Sequence, residues 1–405
     1  MAMRILVVHP EARFYGGAER VLEYFSTAVG QLDLRVVVAK NSRLDQTLPR
    51  HIPRLHVPEH TRFSLKDFAA QVRAVSRLVK DANVELIHGW AARDWPLASL
   101  AACLCGVSAV GTLHDDPESR YIRPARRQLM RLNARIGLDR IVCVSEALRQ
   151  RCLAVGYAKD KLETIHNGLP PVSGDHGKPS RQSLDQPTMR IGYLGAFSEG
   201  KGTDRLLAMF DYVWQAGVTN WELILAGSAD EANTAWWEAT WRSFSQRSWG
   251  HRVSLVGWLD SSAAFLNSID LLVFPSRIFD CLPTVLIEAA RRGVPAVAAN
   301  VGGAREIVVP DQTGWFFGKD DEGGDILIRL LINPTMIRDA GVKAQRRAES
   351  HFTAARMADD YLSLYRDVLG QRVGPAAGTA SNPTYTITID GREPVVDNRP
   401  SCSEV

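Results

Sequence analysis

Ile269-Asp270-Leu271-Leu272-Val273-Phe274-Pro275 runs into Ser276-Arg277-Ile278-Phe279-Asp280-Cys281-Leu282-Pro283 and then into Thr284-Val285-Leu286-Ile287-Glu288-Ala289-Ala290-Arg291-Arg292-Gly293. The apolar run 271–274, closed by a proline, reads as a short strand buried on both faces. The stretch from Pro283 to Arg292 holds no glycine and reads as a buried helix, with Gly293 suited to its C-terminal end. The order is therefore strand, loop, helix. Asp280 falls in the loop and Glu288 about a turn and a half into the helix. That places both carboxylates at the carboxyl end of a parallel strand, where open α/β sheets bind ligands. The N–H groups of the helix start would face an anion. Asp280 as a helix cap and Glu288 as an exposed helix residue is the bland reading. It suits Glu288 poorly, because an acid among apolar neighbours is costly unless it has a partner.

The same alternation continues in both directions. Ile5–Val8, Leu34–Ala39, Val84–His88, Ala109–Leu113, Ile141–Val144 and Lys161–Ile165 read as strands in the first half. Between them lie helices at Val21–Val29, Leu65–Lys80, Trp95–Cys105 and Glu146–Val155, the last capped by Ser145. In the second half, strands at Arg190–Leu194, Trp221–Gly227, Val253–Gly257, Leu271–Phe274, Val294–Ala299 and Thr313–Phe317 alternate with helices at Thr203–Gln215 and Ser262–Ser268, and a short one opens at Gly302. Met357–Val368 is a last amphipathic helix. The pattern is that of doubly wound parallel sheets.

The length of 405 residues suits two domains with sizeable cores. With 45% hydrophobic and 23% charged residues the chain is an ordinary globular one, and a net charge of +3 gives no nucleic-acid signal. None of the six cysteines forms a C-x2-C pair, and they read as reduced core residues of a cytoplasmic protein. The apolar start is too short for a signal peptide, and no segment is long enough to span a membrane. No D-x-D metal motif is present, since Asp115-Asp116 and Asp320-Asp321 are adjacent pairs, so the sequence calls for no metal.

Several polar groups fall at strand ends. Gly16-Gly17, between the first strand and its helix, either form a turn or bring backbone close to a ligand. His114, followed by Asp115 and Asp116, is either part of a polar turn or an active-site imidazole. Gly195, Gly200, Lys201 and Gly202 form a glycine-rich loop with a lysine before a helix, a plausible diphosphate site though not a Walker A motif. Arg123, Arg127, Arg131 and Arg135 recur every four residues beside Leu129, Leu132 and Ile136. This is the pattern of a basic amphipathic helix: either a solvated helix packed on the sheet or one that meets an anionic membrane. Trp236, Trp237, Trp241 and Trp249 read as core packing or an interface more readily than as ligand stacking.

The stretch 280–288 resembles the E-x7-E region of retaining, nucleotide-sugar-dependent glycosyltransferases of family 4, which have the GT-B fold: two Rossmann-like domains facing across a cleft. Lys201-Gly202 resembles that family's "G-R-x…K-G" element, Asn167-Gly168 its "P-N-G" segment, and Thr313-Gly314 its "T-G-x-L-V" strand. The resemblance spans about residues 4–370. It implies domains at 1–168 and 189–354 and a crossover helix at 355–370. Residues 169–188, rich in Pro, Gly, Ser, Asp and Gln, read as the linker between the domains, and 371–405, with few large apolar residues, as a mostly disordered tail in which Thr384–Ile389 alternates like a strand. The resemblance implies a nucleoside-diphosphate sugar as donor, a carbohydrate or lipid-linked acceptor, and no required cofactor. By resemblance Asp280 and the backbone of Cys281, Leu282, Pro283 and Thr284 hold the donor sugar, and Glu288 holds the ribose. Lys201 neutralises the diphosphate, His114 contacts the sugar from across the cleft, and Gly16, Gly17 and Gly195 line the donor site. Three departures stand out: Asp280 replaces the usual Glu, His166 the proline, and Ala196 the arginine that would share the charge of the leaving group. A sugar-nucleotide epimerase of the same fold, or a non-catalytic partner of a polysaccharide assembly complex, are the alternatives.

Overall fold

In the computed structural model the described residues are 2–11, 16–57, 64–119, 122–172 and 188–373. Tyr15, Arg120, most of the expected linker, and the tail beyond 373 with Thr384–Ile389 and Cys402 lie outside them. In chain order the elements are β1 (Arg4–His9), α1 (Gly17–Ala28), β2 (Asp33–Ala39), α2 (Arg43–Thr47), β3 (Arg54–Val57), α3 (Leu65–Asp81), β4 (Leu86–Gly89), α4 (Trp95–Cys105), β5 (Ser108–Leu113), α5 (Pro124–Leu132), β6 (Arg140–Cys143), α6 (Glu146–Ala154) and β7 (Leu162–Thr164). The second half continues with β8 (Met189–Leu194), α7 (Arg205–Gln215), β9 (Trp221–Ala226), α8 (Thr234–Ser245), β10 (Val253–Gly257), α9 (Ala263–Ser268), β11 (Leu271–Phe274), α10 (Thr284–Ala290), β12 (Ala296–Ala299), α11 (Ala304–Ile307) and β13 (Gly314–Phe317). It ends with α12 (Asp320–Ile332), α13 (Pro334–His351) and α14 (Ala354–Val373).

The strands form two wholly parallel sheets, ordered β3-β2-β1-β4-β5-β6-β7 and β10-β9-β8-β11-β12-β13. Their central strands are buried on both faces, which explains their unbroken apolar runs. Each order reverses direction beside its first strand, the usual place for a ligand crevice. An apolar seam joins the halves: Cys143, Val144, Leu148 and Cys152 of the first belong to one continuous buried cluster with Cys281, Leu282 and Leu286 of the second.

The chain crosses between the halves at two places, and the crossings are tied together. Leu169 N–H donates to Phe352 O at 2.9 Å, and Ala354 N–H to Leu169 O at 2.8 Å. Arg291 Nη1 also donates to both Leu169 O and Phe352 O. Beyond the second crossing α14 lies against the first sheet, where Met357, Tyr361, Tyr365 and Val368 share a buried cluster with Ile5, Val7, Phe25 and Val110. A buried polar chain anchors it: Tyr365 Oη and Thr112 Oγ1 flank His88 at 2.7 and 2.8 Å, and Tyr361 Oη meets Thr112 Oγ1 at 2.9 Å. Burial pushes the His88 imidazole down to about 3, so it is neutral.

Three features differ from the expectations. α2, β3, α8, α12 and α13 have no counterpart in the sequence reading. Helix α7 starts at Arg205 rather than Thr203, because residues 201–204 form a turn in which Gly202 adopts φ +71°. A Cβ there would lie 2.1 Å from Pro275 O, so only glycine fits. On α5 the packed side is Met130, continued by Ala134 and Leu138. Leu129, Leu132 and Ile136 point outward, 47%, 52% and 74% exposed. The tryptophans behave as core, as the sequence reading expects: Trp237 and Trp249 are buried, and Phe197 stacks on Trp237 at 3.9 Å.

Removing the Tyr365 hydroxyl leaves one ring nitrogen of buried His88 without a partner. Tyr365→Phe is expected to destabilise the protein by about 1–3 kcal/mol, read as a lower urea midpoint with the far-ultraviolet circular dichroism unchanged.

Candidate active site

β11 delivers the stretch first examined to the cleft, as a buried strand must: its last apolar residue is Phe274, and the chain turns polar at Ser276. Asp280 then meets Lys201 from the loop after β8, Nζ to Oδ2 at 2.7 Å, with both side chains partly exposed. The Lys201 ammonium is therefore already paired with a carboxylate. A donor diphosphate would have to share it with Asp280. The turn 302–303 supports this loop from behind. Gly303 N–H donates to Asp280 O at 2.9 Å, and a Cβ on Gly302 (φ +53°) would sit 1.9 Å from the same oxygen.

Glu288, in α10, is 9% exposed and accepts a hydrogen bond from Ser262 Oγ at 2.5 Å. Ser262, just before α9, is therefore the partner that makes an acid tolerable in an apolar helix. Cys281 and Leu282 are buried, Pro283 caps α10, and Thr284 faces the first domain. A Cβ on Gly17 would lie 3.7 Å from Thr284 Oγ1, so the glycine turn and the start of α10 approach one another across the cleft. The negative charge of Glu288 also reaches Tyr24 on α1, whose hydroxyl is pushed up chiefly by burial.

Ala196 has no charge to offer. Its carbonyl accepts from Tyr193 Oη at 2.7 Å, and Gly195 packs beside the Tyr193 ring. Arg277, in the loop after β11, is engaged in a two-point pair with Asp204 at 2.6 and 2.9 Å. Arg305 bonds Asn300. Lys201 is thus the lysine or arginine that the loops after β8 and β11 bring to Asp280.

On the opposite wall His114 leaves the end of β5. Its Nε2 is enclosed and has no hydrogen-bond partner, and its ring lies 5.6 Å from that of Trp90. Enclosure, together with the nearby positive charges of His9 and Arg93, pushes it down to about 3. It is a neutral imidazole with a nitrogen free for a ligand.

Behind His114 lies a group that the sequence reading missed. His9, wholly buried at the end of β1, holds Asp94 Oδ2 at 2.7 Å through Nδ1 and Glu19 Oε1 at 3.0 Å through Nε2. Arg93 pairs with Glu19 and Glu11. Glu19 Oε2 accepts the Gly16 N–H at 2.7 Å, so the network fixes the glycine turn. The signal was available: His9, like His114, is a polar residue that ends an apolar strand. Among the described residues no group of His, Cys, Asp and Glu is placed to hold a metal ion.

Two family models match the chain in succession, "Glycosyltransferase Family 4" over residues 15–172 and "Glycosyl transferases group 1" over 188–333. Together they take in both sheets and both walls of the cleft, and the chain belongs to this glycosyltransferase family. It is similar to the capsular polysaccharide biosynthesis glycosyltransferase CapM of Staphylococcus aureus, 25% identical over 245 residues, which are 58% of this chain and 63% of CapM. It is similar also to the UDP-Gal:alpha-D-GlcNAc-diphosphoundecaprenol alpha-1,3-galactosyltransferase of Escherichia coli, 18% identical over 84% of this chain and 90% of that protein. With CapM the match stays just under two thirds of the relative's length. Among solved structures the chain is similar to Anabaena HepE crystallised with UDP and glucose. The TM-score is 0.75 at 19% identity, covering 90% of this chain and 99% of that one. The likeness identifies the fold as GT-B.

Burial alone would lower the His9 pKa, but the Asp94 and Glu19 carboxylates outweigh it and raise it from 6.5 to about 9. Burial would raise Glu19, yet its bond to His9 takes it from 4.5 down to about 2. The His9 contribution to stability is full below pH 6.5 and lost as the pH climbs through 9; that of Glu19 is full above 4.5 and lost as the pH falls through 2. Thermal stability is expected to decline between pH 6.5 and 9, and His9→Asn is expected to flatten that slope.

Proposed function

We propose that the protein transfers a sugar from a nucleoside-diphosphate sugar to a hydroxyl acceptor, with retention of the anomeric configuration, in the assembly of a cell-surface polysaccharide or glycolipid. The observation that carries this reading is the meeting of Lys201 and Asp280 at the carboxyl edge of the second sheet. They face a wall that offers the partnerless nitrogen of His114 and the glycine turn.

Each group then has a role. Lys201 offsets the charge that develops on the leaving diphosphate, helped by the backbone N–H groups at the start of α10. Asp280 accepts hydrogen bonds from sugar hydroxyls, and Cys281 to Thr284 shape the pocket around them. Glu288 exchanges the Ser262 hydroxyl for the ribose. His114, neutral at physiological pH, bonds a sugar hydroxyl without adding charge. The acceptor oxygen bonds to the anomeric carbon as the bond from that carbon to the phosphate oxygen breaks. The acceptor proton passes to the leaving phosphate on the same face of the sugar. The names of the relatives, a capsular polysaccharide enzyme and a transferase acting on a diphosphoundecaprenol-linked sugar, agree with this substrate class.

An acceptor of that kind would hold the enzyme at the cytoplasmic face of a membrane, and one surface suits this. Leu129, Leu132 and Ile136 are exposed on and just after α5. Leu100 and Leu104 are exposed on α4, which packs against the same segment through Ser99 and Asn133 at 2.8 Å. Arg123, Arg126 and Arg135 are exposed around them. Arg127 and Arg131 instead engage Glu118, which removes two of the four arginines expected to meet lipid. Among the described residues no helix is long and apolar enough to cross a membrane.

A thermal-shift screen with UDP, GDP, ADP and their sugars is expected to show one nucleotide that stabilises the fold. With the matching donor, Lys201→Ala should lower turnover by about a hundredfold or more while donor affinity falls much less. Glu288→Gln should weaken nucleoside-diphosphate binding by about 1–3 kcal/mol, read by titration calorimetry. Nucleotide binding without transfer to any acceptor would turn the reading toward a non-catalytic role.

The protein is expected to sediment with anionic phosphatidylglycerol vesicles at low salt and not at high salt. The triple change Leu129→Ser, Leu132→Ser and Ile136→Ser should abolish this. Absence of binding at low salt removes the membrane assignment and leaves the transferase reading untouched.

A further inference from the structure

Helix α6 belongs to the first domain, yet its polar contacts reach the second. Its first backbone N–H groups, those of Glu146 and Ala147, both donate to the carboxylate of Glu306 at 2.8 Å. Glu306 sits on α11, on the far side of the cleft. The same carboxylate meets His166 Nε2 at 2.5 Å, next to the crossing at Leu169. A helix start leaves its first N–H groups without partners inside the helix. Here Ser145 Oγ takes the N–H of Leu148 at 3.1 Å, and a residue from the other domain takes the two before it. Glu306 is only 11% exposed at its side chain.

Further along the same helix, Arg151 bridges the two loops that carry candidate groups. Its Nε donates to Asp116 Oδ1 at 2.5 Å, in the loop that begins at His114. Its guanidinium lies 4.8 Å over the ring of Phe279, the residue before Asp280. Glu306 is coupled to Asp280 as well, since the turn 302–303 that leads into α11 packs against the Asp280 carbonyl. One rigid helix thus touches the His114 loop on its own side and is held, at its start and along its length, by the segments that support Asp280. Neither contact is needed for either sheet to form.

We propose that Glu306 and Arg151 form a cross-cleft clasp that sets the angle between the two domains at which His114 and Asp280 face one another. Glu306 fixes the start of α6 beside the crossing, and Arg151 locks the two loops together. Both are positioning residues. The geometric part stands without the transferase reading; only the kinetic part rests on it.

The test measures the distance between spin labels at Leu65→Cys and Ile332→Cys, two exposed sites, one in each domain. The background carries Cys103→Ser, Cys105→Ser and Cys402→Ser, which leaves only buried cysteines. The unmodified clasp should give a narrow distance distribution. Glu306→Ala should broaden or shift it, Glu306→Gln should restore it in part by keeping one acceptor oxygen, and Arg151→Met should broaden it while keeping the apolar contact with Phe279. In the kinetic arm, kcat should fall by about tenfold or more in Glu306→Ala while the dissociation constant for the nucleoside diphosphate changes much less. Rescue of kcat by Glu306→Gln separates positioning from a general loss of fold. A narrow, unmoved distribution in both Arg151→Met and folded Glu306→Ala overturns the clasp. Distances that respond as expected, in a protein that transfers no sugar, uphold the clasp and reject the transferase reading instead.

Discussion

Two parallel sheets have to meet edge to edge before this chain can assemble a site at all, and the apolar seam between the halves is what brings them together. A parallel sheet buried on both faces has no room for polar chemistry along its strands. Polar groups therefore gather where strands stop: His9 after β1, His114 after β5, Lys201 after β8, Asp280 after β11. On a single sheet such residues would face open solvent. Cys143, Leu148 and Cys152 packed with Cys281, Leu282 and Leu286 turn two exposed edges into one enclosed cleft. Enclosure pushes both His114 and His9 toward the neutral form; His114 yields to it, whereas the Asp94 and Glu19 carboxylates overcome it at His9.

The charges within the cleft are held in internal pairs. Lys201 holds Asp280, Ser262 holds Glu288, and His9 holds two carboxylates. Such pairing is what permits ionised groups to be half or wholly buried. The pairs differ in what they leave open. His9 is saturated by its two carboxylates, whereas Lys201 and Asp280 remain partly exposed. Ala196, in the same loop as Lys201, adds no second cation there.

Strands and helices were largely legible because buried parallel strands are uniform apolar runs and the helices between them keep a 3.6-residue pattern. β3 escaped because it is an edge strand, Arg54-Leu55-His56-Val57, in which only Val57 is fully buried. The outward leucines of α5 show a different limit. Periodicity finds two apolar stripes on that segment, and only the neighbouring helix decides that Met130, Ala134 and Leu138 pack while Leu129, Leu132 and Ile136 do not. Within the site, individual groups could be named from their place after a strand. Their partners could not, because Lys201 and Asp280 are 79 positions apart and Glu306 and Glu146 are 160 apart. Pairings at that range depend on how two separately folded sheets dock, which local pattern does not encode.

The two tied crossings have a mechanical consequence. Two chain segments hydrogen-bonded side by side, Leu169 against Phe352 and Ala354, act as a single hinge pin. A pin of this kind would favour rotation of the halves about it over sliding. In a rotation, displacement grows with distance from the pin. A contact beside the pin, such as His166–Glu306, would move little, and a contact between the domains farther from it would move more. A fraction of an ångström gained or lost at the hinge end would therefore be geared up wherever the two domains meet away from it.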